Sequence, residues 1–158
     1  MRTLLPGLLM NFPFAKEQDI VIPGPAGQLE AVIHQCDEAG PFAGQGRVVI
    51  ICHPHPVHGG TMDNKVVTTL MRTYRDLGVH VLRFNFRGVG KSDGSFDNAV
   101  GELKDLLAVI DWVRREWLDA VLLLAGFSFG SSIAAQAVYQ TKNLQHLTLV
   151  APPVERYP

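Results

Sequence analysis

A serine set between two glycines, where an apolar run gives way to a helical pattern, constrains this chain more than any other stretch. In VLLLAGFSFGSSIAA, residues 121–135, the run 120–125 is almost wholly apolar, as expected of a strand buried on both faces. Residues 131–139 carry Ile133, Ala134, Ala137 and Val138 at helical spacing. Ser128 then falls on the turn between strand and helix. A turn that sharp strains the backbone of its central residue and brings strand and helix together, so Gly126 and Gly130 mark places where a Cβ would collide. The hydroxyl is presented outward, and the helix aims its N–H groups and positive dipole end at the same spot. That field suits the negative charge that develops when a serine attacks a carbonyl. The bland alternative is a tight connection in which Ser128 merely caps the helix.

The segments around this turn predict a layered α/β fold. The run IVI, then PGPAGQ, then LEAVIH reads as an antiparallel hairpin, and RVVIIC at 47–52 as a buried parallel strand. A helix is expected over 64–77, with Asp63 at its cap, Val67, Leu70, Met71 and Tyr74 on one face, and Gly78 as its stop. Strand VHVLRF at 79–84 and an amphipathic helix over 98–117 follow, with Leu103, Leu106, Leu107, Ile110 and Val113 inward. The last element is HLTLV at 146–150. Strands alternating with long helices imply a three-layer α/β sandwich with a mostly parallel sheet, its function gathered at the strands' C-terminal ends.

Composition narrows the partner. In 158 residues, 47% are hydrophobic, enough for the core of one domain, here expected over 18–158 behind a flexible apolar leader, 1–17. The leader is interrupted by Pro6 and Pro13 and lacks a clean cleavage site, so it is not read as a signal peptide. A net charge of −1 without a basic stretch argues against nucleic acid and membrane surfaces and in favour of a small-molecule partner. Cys36 and Cys52 are too few for a disulfide framework and suit a reducing cytoplasm.

Two further loops lie at the functional edge. HPHPVHGG follows RVVIIC, where an acyl-transfer enzyme of this architecture needs a second oxyanion donor. Pro54 and Pro56 have no N–H, which leaves the His55 backbone as the best-placed donor, paired with the N–H of Phe129. The imidazoles of His53, His55 and His58 also admit a metal-dependent reading, although no second His/Asp cluster supplies further ligands. The other loop holds GVGKS at 88–92, the tail of a phosphate-binding motif; Asn85 stands where its first glycine belongs, and SDGSFD starts no helix. Gly88 and Gly90 there permit a tight loop, with Arg87 and Asp93 as a local pair.

Together HPHPVHGGTMDNK, RFNFRGVGKSDGSFD and GFSFGSSIA, each after a strand, resemble the α/β-hydrolase superfamily, in particular its small bacterial esterase-like branch. The resemblance runs from about Ile20 to Val154. It implies an eight-stranded sheet, Ser128 as nucleophile, an oxyanion hole from His55 and Phe129 N–H, no cofactor, and hydrolysis of an ester or related acyl bond through an acyl-enzyme. The family's acid and histidine follow the serine. Of the thirty residues after Ser128, His146 starts a strand and so sits on the order of 15 Å away at the opposite sheet edge. Glu155 without a histidine activates nothing. The expectation is therefore a hydrolase domain truncated at its C-terminus and inactive as written. HLTLV would then be a sheet edge open to self-association, and a non-catalytic binding or assembly module is the alternative.

Overall fold

The computed structural model describes residue 12 and residues 14–155. The hairpin forms as read: β1, Glu17–Gly24, pairs antiparallel with β2, Gly27–His34, and Gly24 opposes Gly27 across a two-residue turn. Next come β3, Arg47–Cys52, α1, Lys65–Asp76, β4, His80–Phe84, and α2, Val100–Glu116. The described chain ends with β5, Val121–Phe127, α3, Phe129–Val138, and β6, Leu144–Val150. These strands make a six-stranded sheet in the order β1-β2-β4-β3-β5-β6, where the resemblance implied eight. Pairing is parallel from β4 through β3 and β5 to β6, and antiparallel on the hairpin side.

Strand alternation sorts the apolar residues into two cores. Val48, Ile50, Leu82, Phe84, Leu122 and Leu124 face α2 and α3, meeting Leu106, Val109, Ile110, Ile133 and Ala137. Their sequence neighbours Val49, Ile51, Val81, Leu123 and Ala125 face α1 and meet Val67 and Met71. Both faces of the central strands are covered, which is why those strands read as unbroken apolar runs instead of alternating ones. Leu103 and Leu107 pack at the margin of the first core, and Leu70 and Tyr74 at that of the second.

Two helix starts differ from expectation. Asn64, not Asp63, caps α1: its Oδ1 accepts the N–H groups of Val66 at 2.9 Å and Val67 at 3.4 Å. Asp63 is drawn off by Arg83, whose Nη1 lies 2.6 Å from Asp63 Oδ1. Helix α2 begins at Val100 because the buried Glu102 carboxylate turns back to accept the N–H groups of Asp97 and Ala99, both at 2.9 Å, holding Asn98 and Ala99 at positive φ.

Most of the expected leader, residues 1–17, lies outside the described residues, as do Pro6 and Pro13. Phe12 and Phe14 seat their rings on the domain, Phe12 stacked on His80 at 4.5 Å and Phe14 on Trp112 at 5.7 Å. Cys36 and Cys52 are buried free thiols. No helix among the described residues is long and apolar enough to cross a membrane.

Candidate active site

Sheet order sets the place of the site. From β3 the chain moves to β4 on one side and later to β5 on the other, so the loops leaving β3 and β5 diverge from neighbouring strand ends and enclose a crevice. Ser128 stands at that crevice with φ 53° and ψ −118°, backbone that a side chain rarely adopts. Its hydroxyl makes no capping bond to α3, which removes the N-cap alternative. The strain is held from both sides: Ser128 N–H donates to Val150 O at 2.9 Å, and Ser128 O accepts Ser131 N–H at 3.0 Å and Ser131 Oγ–H at 2.6 Å.

The flanking glycines are required by close approach. A Cβ on Gly126 would lie 2.4 Å from Gly130 O, and one on Gly130 would lie 2.2 Å from Cys52 O. The first turn of α3 is therefore pressed against the end of β3, directly beside the HPHP loop. A cavity of about 320 Å³ opens there, lined by Pro54, His55, His58, Asn64, Phe127, Ser128, Phe129 and Pro153. The expected site residues Ser128, His55 and Phe129 are thus brought together. The rings of His55 and Phe129 lie 5.0 Å apart, and Phe96 sits 5.0 Å from His55 and 6.0 Å from Phe129, so the three rings cluster.

The three histidines of the loop do not turn to one point. His53 is fully buried; its Nε2 accepts Phe86 N–H at 3.1 Å, and its Nδ1 meets Pro54 O at 2.7 Å. Burial lowers its pKa to about 4. His55 Nδ1 accepts Val57 N–H at 3.1 Å, which leaves the ring proton of neutral His55 on Nε2. Only His58 joins His55 at the cavity, their rings 4.6 Å apart. Among the described residues no three His, Cys, Asp or Glu side chains are grouped to hold a metal.

His146 lines a different hollow, with Phe42, Arg47, Tyr74 and Gln145, at the other end of β6. Among the described residues no carboxylate lines the Ser128 cavity, Glu155 included. The GVGKS loop is clamped to β2, since Ser92 Oγ accepts Glu30 N–H at 2.9 Å and donates to Asn85 O at 2.7 Å, while Lys91 N–H donates to Glu30 Oε2 at 2.7 Å. The expected Arg87–Asp93 pair does not form. Arg87 is bidentate to Asp105 of α2, and Asp93 Oδ2 accepts Gln28 N–H at 2.7 Å instead.

A family model described as serine aminopeptidase, S33, matches residues 46–157. The chain is an α/β hydrolase of that family. A solved α/β serine hydrolase "without lid" from Xanthomonas campestris superposes on this hydrolase with a TM-score of 0.87 at 40% identity, covering 92% of this chain and 65% of its own. A serine hydrolase homologue from Coxiella burnetii does so at 0.81 with 50% identity, covering 89% of this chain and 65% of its own. In sequence, the hydrolase is 41% identical over 132 residues to uncharacterized protein RP471 of Rickettsia prowazekii, over 83% of this chain. It spans 53% of that relative's length.

Sequence reasoning passed over three parts of this site. Asn64, read only as part of a helix start, contributes to the cavity wall, and Pro153 closes it from beyond β6. Gly60 has a structural part: a Cβ there would lie 2.1 Å from Pro54 O, so it makes room for the chain's own carbonyl.

Proposed function

We propose that this hydrolase cleaves an ester or related small acyl bond through an acyl-enzyme on Ser128. The observation that carries the reading is the strained Ser128 backbone with both flanking glycines jammed against neighbouring carbonyls, a geometry that solves no packing problem and leaves the hydroxyl uncommitted to α3. Ser128 Oγ attacks the acyl carbon and gives its proton to a base. The oxyanion so formed is met by the N–H groups of Phe129 and His55, the acyl–oxygen bond breaks, the leaving alcohol takes the proton, and water then frees the acid.

The base and its acid partner are assigned to polypeptide outside the described residues. Supporting this, His146 lines the hollow at the far end of β6, and the Rickettsia relative is nearly twice as long as the stretch it shares with this chain. A second reading, favoured by one observation, gives the base role to His58, which shares the cavity with Ser128. The reading needs no cofactor, and two free buried thiols favour a cytoplasmic setting. The 158-residue chain is accordingly expected to be inactive alone unless His58 serves.

The test is hydrolysis of p-nitrophenyl acetate and butyrate by the complete gene product, with and without EDTA. Turnover unaffected by the chelator is expected; a rate abolished by EDTA and restored by added Zn²⁺ would overturn the serine reading in favour of a metal. Loss of that turnover in His58→Gln would select the second assignment of the base.

A further inference from the structure

We infer that His53 is a positioning residue that sets the direction of the oxyanion-binding N–H of His55. The inference rests on the acyl-transfer reading above for what that N–H does, but on geometry alone for what His53 does. Phe86 N–H is a donor without alternatives, so the 3.1 Å bond to His53 Nε2 requires that nitrogen to be unprotonated. A neutral imidazole then carries its proton on Nδ1, which donates it to Pro54 O at 2.7 Å. Pro54 O and His55 N–H belong to one planar trans peptide and point in opposite directions, so holding the carbonyl holds the N–H.

The rest of the loop leaves that peptide no other orientation. The Gly60 backbone backs against Pro54 O, where a Cβ would lie at 2.1 Å. On the far side of His55, its own carbonyl accepts Gly60 N–H at 3.0 Å and His58 N–H at 3.1 Å. His53 itself cannot drift, because it is fully buried with its ring edge-on to Phe86 at 4.8 Å. Burial also lowers its pKa to about 4, so near neutral pH Nε2 keeps the lone pair that accepts Phe86 N–H. The buried imidazole thereby bridges the loops after β3 and β4, and the orientation of a catalytic backbone dipole becomes a side-chain property.

Two substitutions separate the ring's halves. Asn keeps a donor where Nδ1 stood and loses the acceptor for Phe86; Gln keeps an acceptor where Nε2 stood and loses the donor to Pro54. Each leaves one buried polar group unsatisfied, so a merely structural role predicts equal damage. In the complete gene product, phosphonylation of Ser128 by a fluorophosphonate, read by intact mass, should slow about 100-fold in His53→Gln, the effect of losing one oxyanion donor, and much less in His53→Asn. With ¹⁵N-histidine labelling, the residual dipolar coupling of the His55 amide should change in His53→Gln alone.

Equal slowing in the two variants, or an unchanged His55 coupling in His53→Gln, would overturn the inference. If the unmodified protein forms no Ser128 adduct, the acyl-transfer reading fails, and the His55 coupling still decides the role of His53. Should His53→Gln not fold, the ring nitrogen shifts of the unmodified protein decide: a proton found on Nε2 of His53 overturns the inference, and one on Nδ1 supports it.

Discussion

In the complete gene product, exchanging Ser128 for alanine is expected to lower kcat for short acyl esters by about 10⁴-fold or more while leaving the fold and its unfolding midpoint unchanged. Alanine keeps the Cβ, so the residue remains strained at φ 53°, and the hydroxyl it loses makes no capping bond that the fold would miss. Ser128→Gly separates strain from chemistry. It removes the same hydroxyl but relieves a backbone conformation that costs a side chain about 1 kcal/mol or more, so it should be as inactive as Ser128→Ala and measurably more stable to urea. A Ser128→Ala variant that keeps most of its activity would remove Ser128 from the mechanism. A Ser128→Gly variant less stable than wild type would show that the elbow is not strained.

The second large effect lies away from the cavity. Asp105 is fully buried in α2 and accepts the Arg87 guanidinium twice over, with Nη2 at 2.9 Å and Nε at 3.1 Å, as well as Arg87 N–H at 3.0 Å. Its hydrogen bonds push the Arg87 pKa up from its usual value, which favours the charged guanidinium. Asp105→Ala leaves a largely buried guanidinium with no hydrogen-bonded carboxylate and should destabilise the protein by about 3–5 kcal/mol, measured by urea unfolding. Asp97 also faces Arg87, at 3.8 Å, but is exposed, so Asp97→Ala should cost less than about 1 kcal/mol. Similar losses in both variants would mean that burial does not set the strength of this pairing.

The contrast between those two carboxylates marks what the sequence makes legible. Apolar runs declare themselves, so β3 was readable to the residue and the strained turn could be located from two glycines and the change of period around Ser128. Side-chain pairing across the fold does not. Arg87 lies near Asp93 in sequence, but the loop turns its guanidinium toward Asp105, a partner visible only once α2 is packed on the sheet. Asp63 and Asn64 are both good caps by type, and the choice between them was made by Arg83, which emerges from a strand that reads as apolar. Glu102 gave a signal that could have been used: it stands three residues after the true helix cap at Ala99, the spacing of a carboxylate that folds back on its own helix start.

Within the candidate site, the positions of Ser128, Phe129 and His55 around one cavity were legible because each follows from chain geometry: strained turn, first helical residue, and the one N–H left between two prolines. The individual histidines were not. His53, His55 and His58 look equivalent as a sequence, yet one is buried between two backbone groups and the other two line the cavity, His55 also starting a short helix. Their difference comes from Phe86 and Pro54, residues with no polar side chain to announce a role.

The central claim is that Ser128 becomes acylated, and rapid-quench mass spectrometry of the complete gene product with p-nitrophenyl acetate tests it most directly. The account predicts an acetyl group on the peptide containing Ser128, formed and lost at rates that accommodate turnover and absent from Ser128→Ala. Turnover that proceeds with no acyl group on that peptide, or with one on a different residue, would contradict it.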